Sequence, residues 1–146
     1  MFNSNDIDIR MYCCSILSSE STESLKTYCK LNGIQNINSE FHVTLVNSDI
    51  VVEFEPLEYC GVTIPHYNIS PAKWTVDGGK EILVLLLNSK WLEYRFKEAR
   101  DYGATWDHPE YRPHITLSYD IDSSFDIKHL SQINFDIEIE SEYCEY

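Results

Sequence analysis

The chain has 146 residues, and we expect a single domain over 1–146 because this is about the length of one domain. A hydrophobic content of 43% provides for a packed core, and an aromatic content of 13% argues against disorder. Eleven Lys and Arg against 24 Asp and Glu give a net charge of −13. This charge disfavours a binder of long DNA or RNA, which needs a basic surface for the phosphates, but it is compatible with a small anionic ligand in a local pocket.

The sequence predicts no membrane segment and no metal site. The longest apolar run, 82–87, has the length of a strand, and residues 1–6 lack the basic-then-apolar order of a secretory signal. We therefore expect a cytoplasmic protein. The cysteines are odd in number and show no metal-ligand spacing, so we expect buried or inert thiols and no cofactor; they are Cys13, Cys14, Cys29, Cys60 and Cys144.

The first half of the chain is predicted to begin with a strand over 7–17 and a helix. Three serines offer N-caps for this helix, and apolar residues follow at helical spacing from Leu25 to Leu31. Gly33 suits the position just after the helix. The candidate caps are Ser18, Ser19 and Ser21, and further strands are predicted over 41–46, 50–54 and 61–69.

The second half repeats this order. Residues 74–76 lead into a turn at 77–79, and 81–87 reads as a strand buried on both faces. Ser89 is the expected N-cap of a second helix that ends before Gly103 and buries Leu92, Phe96 and Ala99 on one face. Strands are predicted within 111–119 and over 134–141. The sequence therefore predicts an α+β fold with two helices and mostly antiparallel strands, arranged as two loosely related halves.

One tripeptide pattern occurs in both halves, as His42-Val43-Thr44 and His114-Ile115-Thr116. Each lies within a predicted apolar strand, and strand alternation places His and Thr on one face with the aliphatic residue on the other. The structural alternative is a core His hydrogen-bonded to its neighbouring Thr.

Two His and two Thr on one cleft suit phosphodiester chemistry. A neutral imidazole accepts a proton from the attacking hydroxyl, and a protonated one donates to the leaving oxygen, since both forms coexist near neutral pH. The Thr hydroxyls donate to the phosphate oxygens as charge develops on them.

Paired His-x-Thr motifs in a small α+β chain resemble the 2H phosphoesterase superfamily. Within it, the chain is most similar to the phage anti-CBASS phosphodiesterases, in its size, in the separation of its motifs and in the segment 103–113. The resemblance implies a bilobal fold with a central cleft, and metal-independent cleavage of cyclic di- or trinucleotide messengers such as cyclic GMP-AMP in the bacterial host cytoplasm. It also implies that His42, Thr44, His114 and Thr116 are catalytic and that the ribose 2′-hydroxyl attacks first.

Base-binding residues are predicted mainly from aromatic side chains near these motifs, because bases stack on aromatic rings. Tyr12 comes first, since the first strand flanks the cleft in the superfamily. Glu142 is added as a hydrogen-bond acceptor for a base edge, and its alternative is a solvated carboxylate in the C-terminal tail. For the aromatic residues, the alternative is packing in the core. The set is Tyr12, Trp74, Trp106, Tyr111 and Glu142. His108 is a further candidate for the cleft wall, and Arg112 and Lys73 for attraction of phosphate.

Two competing functions remain open at this point. One is a 2H enzyme that acts on RNA ends with 2′,3′-cyclic phosphates, which the acidic charge disfavours. The other is a module that sequesters a cyclic nucleotide without cleaving it, which two complete His-x-Thr motifs disfavour.

Overall fold

The computed structural model describes residues 9–146 and confirms the predicted α+β class. Residues 1–8, with the first two positions of the predicted first strand, lie outside this range. The regular elements are β1 Met11–Leu17, α1 Ser19–Leu31, β2 His42–Ser48, β3 Val62–Ile64, β4 Ile69–Thr75, β5 Glu81–Leu87, α2 Lys90–Asp101, β6 His114–Ile121 and β7 Ile137–Glu145. Within 9–146, no helix is long and apolar enough to cross a membrane.

The strands form two sheets, and each sheet contains one of the two His-x-Thr strands. The first sheet has the order β2-β1-β7-β3 and the second has the order β4-β5-β6, with antiparallel pairing throughout. A bridge between Ile37 and Ser118 connects the chain just before β2 to β6. The two motif strands are therefore held next to each other at the junction of the sheets.

Both helices begin at the serines that the sequence indicated. The Ser18 hydroxyl accepts from the Ser21 amide at 3.1 Å, and the Ser89 hydroxyl accepts from the Leu92 amide at 3.2 Å. Gly33 and Gly103 follow the helices with φ of +63° and +104°, conformations in which glycine carries no steric cost.

Three predicted strands differ from the structure. Residues 50–54 form no strand, because Phe54 is buried beneath Arg95 while the start of the segment is exposed. Within 61–69 only β3 and Ile69, the first residue of β4, belong to strands, because a single 3₁₀ turn over His66–Asn68 follows Pro65. The last strand begins three residues later than predicted and continues to Glu145, because β1 pairs with it as far as Tyr12.

The expectation of inert thiols is wrong for one pair of cysteines. Cys13 in β1 and Cys144 in β7 lie directly opposite each other in the first sheet and form a disulfide. Their separation of 131 residues in sequence gives no local sign of this pairing. Cys14, Cys29 and Cys60 are free.

Glu142 occupies neither of its predicted environments, since it belongs to a buried ion pair. Its side chain is fully buried and accepts from Arg95 Nη2 at 2.6 Å and Nε at 2.8 Å. It also accepts from the Leu57 amide at 2.9 Å. These bonds use both carboxylate oxygens and the side chain is 0% exposed, so Glu142, although it borders the first cavity, joins β7 to α2 and to the loop before β3.

We expect Glu142→Gln to lower the free energy of unfolding by up to about 3–5 kcal/mol, because the buried Arg95 guanidinium then keeps only the Glu98 carboxylate, at 3.1 Å, as a charged partner. Urea unfolding measures this loss. The matched control is Asp101→Asn, which removes the carboxylate of an exposed pair with Lys97 (N–O distance 3.2 Å) and should cost less than about 1 kcal/mol. Equal losses in the two variants would contradict the structural role of Glu142.

Candidate active site

The two His-x-Thr motifs lie at the starts of β2 and β6, with the aliphatic residues buried behind them. Val43 and Ile115 are both 0% exposed, whereas His42, Thr44 and His114 are only partly buried. The burial pattern therefore follows the predicted strand alternation in the first motif, whereas in the second motif Thr116 is buried as well, at 7% exposure, and lines neither cavity.

Each imidazole is oriented by a carbonyl oxygen two residues earlier in the chain. His42 Nδ1 lies 3.2 Å from the Glu40 oxygen, and His114 Nδ1 lies 2.8 Å from the Arg112 oxygen. A carbonyl only accepts, so Nδ1 carries the hydrogen in both rings. The neutral rings therefore keep the lone pair on Nε2, the nitrogen that a substrate can use.

Tyr12, on β1, lies beside the first motif as its strand position predicted. Its hydroxyl is 2.8 Å from Thr44 Oγ1, and its ring meets the His42 ring edge-on with centroids 6.3 Å apart. Burial raises the pKa of the Tyr12 phenol, with the Thr44 hydrogen bond acting in the opposite direction. Tyr12 thus contacts both polar residues of the first motif.

Trp74 takes the corresponding place beside the second motif. Its ring lies edge-on to His114 with centroids 4.6 Å apart, and the Arg112 guanidinium lies 4.8 Å from the ring centroid. Burial is the main cause of a lowered pKa of His114, and the charges of His42, Arg112 and His108 act in the same direction. These surroundings favour the neutral form of His114.

Two cavities open next to the motif residues. The first, about 730 Å³, is lined by Tyr12, Cys14 and His42, together with carboxylate-bearing side chains. The second, about 440 Å³, is lined by Thr44, Trp74 and His114. Burial raises the pKa of the Cys14 thiol to about 11, so this cysteine carries no thiolate at neutral pH.

The segment before β6 provides one wall of the second cavity. Trp106 and His108 line it, with ring centroids 5.5 Å apart. Tyr111 lies behind this wall: its ring stacks on Phe96 with centroids 4.1 Å apart, and its hydroxyl donates to the Thr44 oxygen at 2.7 Å. The packing alternative therefore describes Tyr111 better than base binding does.

Arg112 lines the second cavity, whereas the Lys73 side chain is engaged by other protein groups. The Lys73 ammonium donates to the carbonyls of Ser123 and Phe125 at 2.9 and 2.8 Å and pairs with Glu81 at 3.3 Å. These three partners leave Arg112 as the more available cation for a phosphate.

The prediction missed several polar residues that line the cavities. Glu40, Tyr143 and Glu145 line the first cavity, and Asn47 and Glu110 line the second. Tyr143 and Glu145 were missed because β7 was predicted to end at residue 141. No group of three His, Cys, Asp or Glu side chains in the described part of the chain is placed to hold a metal ion.

Comparison with known proteins identifies the family. The family model of the anti-CBASS protein Acb1 matches residues 10–146, which include both motifs. Acb1 of Escherichia phage RB16 is 34% identical over 143 residues, covering 95% of this chain and 81% of that protein. Acb1 of Acinetobacter phage Ac42 is 46% identical over 90 residues, 62% of this chain and 58% of that protein. Acb1 of Enterobacteria phage T4 is 48% identical over 48 residues, 33% of this chain and 31% of that protein. The chain therefore belongs to the Acb1 family of anti-CBASS proteins.

Proposed function

We propose that this protein is a metal-independent phosphodiesterase of the 2H superfamily that hydrolyses 3′–5′ linkages in cyclic di- and trinucleotides. The observation that supports the proposal is the pair of imidazoles on β2 and β6, two strands that contact each other, each ring with Nδ1 bonded to a carbonyl oxygen so that Nε2 keeps the lone pair. Matched relatives are named anti-CBASS proteins, which supports a cyclic oligonucleotide messenger of bacterial defence as the substrate and the host cytoplasm as the place of action.

The surroundings of the two imidazoles support different roles for them. The lowered pKa of His114, caused mainly by burial, favours the unprotonated ring and hence the general base. His42 is the other motif imidazole, so the proton for the leaving oxygen is left to it. We therefore assign the initial base to His114 and the initial acid to His42.

The reaction begins with the ribose 2′-hydroxyl. His114 Nε2 accepts its proton as the 2′ oxygen bonds to phosphorus, and the bond between phosphorus and the 5′ oxygen breaks. His42 Nε2 donates a proton to that leaving oxygen. The 2′,3′-cyclic phosphate formed is then opened by water with the two imidazoles in exchanged roles, which restores both protonation states.

The remaining polar residues contribute to binding and to charge stabilisation. Thr44 and Thr116 donate hydrogen bonds to the non-bridging phosphate oxygens as negative charge builds there. Tyr12 and Trp74 flank the two motifs, one on each side, and provide rings on which the two bases of a cyclic dinucleotide stack. Trp106 and Arg112 extend the second cavity, where Arg112 offsets the acidic net charge.

The first test is chromatography of 3′,3′-cyclic GMP-AMP after incubation with the purified protein in excess EDTA. We expect a linear product that ends in a phosphate. Intact nucleotide would contradict the proposal: turnover of RNA ends with 2′,3′-cyclic phosphates would then favour the first competing function, and recovery of bound, intact nucleotide after heating would favour sequestration.

In the same assay, His42→Ala and His114→Ala should each reduce kcat by about 10²–10⁴-fold, because each removes a proton-transfer group. The thermal unfolding midpoint should change little, since both rings are partly exposed. His129→Ala, at a side chain that is 85% exposed, is the matched control and should retain full activity. Wild-type turnover in either motif variant would refute the assignment.

A substrate with sulfur in place of the 5′ leaving oxygen separates the two roles. A thiolate leaves without protonation, so His42→Ala should recover most of its lost rate on this substrate, whereas His114→Ala should not. Recovery by His114→Ala instead would reverse the assignment of acid and base.

Titration followed by NMR tests the basis of this assignment directly. The His114 ring signals, identified by their loss in His114→Ala, should titrate at lower pH in the folded protein than in the urea-unfolded chain, because burial disfavours the charged ring. The limb of kcat/KM that falls toward acid pH should follow the same pKa. A folded-state pKa equal to or above the unfolded value would contradict the assignment.

A further inference from the structure

Two hydrogen bonds connect the motifs reciprocally across the junction of the sheets. Tyr111 lies three residues before His114, and its hydroxyl donates to the Thr44 main-chain oxygen at 2.7 Å. Asn38 lies four residues before His42, and its Nδ2 donates to the Thr116 main-chain oxygen at 2.9 Å. Asn38 and Tyr111 therefore each lie shortly before one motif and bind the main-chain oxygen of the threonine in the other motif.

Asn38 is fixed by hydrogen bonds from both its backbone and its side chain. Its backbone amide donates to the Leu117 oxygen at 2.8 Å, next to the bridge that joins the sheets. Its Nδ2 also donates to the Glu40 oxygen at 2.9 Å, the same carbonyl that orients His42 Nδ1 at 3.2 Å. One amide group thus links the carbonyl that orients the first imidazole to the main chain of the second motif.

Tyr111 is fixed from the side of α2. Its ring stacks on Phe96 with centroids 4.1 Å apart and meets Trp106 edge-on at 5.6 Å. Burial raises the pKa of the Tyr111 phenol, so the hydroxyl remains protonated and donates to the Thr44 oxygen throughout the working pH range. Tyr111 therefore joins β2, through its hydroxyl, to the segment before β6 and, through its ring, to α2.

We propose that Asn38 and Tyr111 are positioning residues that set the spacing of the two imidazoles, an inference that rests on the proposed phosphodiesterase function. An acid and a base on different sheets must flank one phosphate, and an error of about 1 Å in such an arrangement can reduce the rate about 10²-fold. Neither residue needs to contact the substrate for this role, because each acts through the main chain of a motif threonine.

The test compares Tyr111→Phe and Asn38→Ala with two matched controls away from the cleft. Tyr28 also donates its hydroxyl to a main-chain oxygen at 2.7 Å, that of Ser131. Asn32 also donates Nδ2 to a main-chain oxygen, that of Tyr28, at 2.8 Å. Tyr28→Phe and Asn32→Ala therefore remove the same kinds of bond and report the effect on stability alone.

We expect Tyr111→Phe and Asn38→Ala to reduce kcat about 10–100-fold with little change in KM, because binding groups remain while acid and base are misaligned. The two controls should keep the wild-type kcat even where their unfolding midpoints fall. Unchanged kcat in both cleft variants, or equal losses in the controls, would overturn the proposal.

The His114 pKa gives a readout that does not depend on catalysis. The groups that face His114 are Trp74, His42, His108 and Arg112. Burial lowers the His114 pKa most, the hydrogen bond to the Arg112 oxygen raises it, and the charges of His42, Arg112 and His108 lower it further. A greater separation of His42 from His114 weakens this repulsion, so the pKa measured by NMR should rise in Tyr111→Phe and stay unchanged in Tyr28→Phe. In a His42→Ala background, Tyr111→Phe should produce no further rise, because the repelling partner is gone.

These outcomes separate the two proposals. A wild-type protein that fails to cleave cyclic nucleotides overturns the proposed function, and the NMR titrations then decide alone whether the two residues set the spacing. A wild-type protein that cleaves, with an unchanged His114 pKa and kcat in the cleft variants, retains the function and refutes the positioning role.

Discussion

Burial of Val43 and Ile115 is the constraint on which the candidate site depends. Both are 0% exposed in the shared core, and a strand that buries one residue must turn its two neighbours to the opposite face. A slip of one residue in register would bury an imidazole and expose a branched aliphatic side chain. Both changes would raise the free energy of the folded state. The hydrophobic core thus fixes the direction of the polar groups without contacting a substrate.

The same tripeptide acquires different chemistry on the two sheets because its neighbours differ. On β2, His42 meets the edge of Tyr12 and borders a cavity that three glutamates line. On β6, His114 lies against Trp74 and near Arg112. Burial, together with the neighbouring positive charges, favours the neutral ring at His114. The two copies of the tripeptide thus hold their imidazoles in different surroundings.

Strand alternation and helix capping were predictable from sequence because they involve neighbours within about four residues. Ser18 and Ser89 cap the helices as predicted, and the first motif exposes His42 and Thr44 on either side of the buried Val43. Tyr111 was assigned to the substrate because its aromatic ring precedes a motif, yet its partners come from two other elements. Sequence spacing carries no information on whether such a ring faces a cavity or a helix.

The error at Glu142 has a specific physical origin in β7. Alternation over 137–140 places isoleucines inward and glutamates outward, and its continuation would turn Glu142 outward as well. The register against β1 passes from Ile139 directly to Ser141, so Glu140 is an extra residue, a β-bulge that reverses the alternation. Glu142 consequently faces Arg95 in the interior, and Cys144 meets Cys13. A single inserted residue thus determines both the buried ion pair and the disulfide, and it turns Tyr143 and Glu145 toward the first cavity.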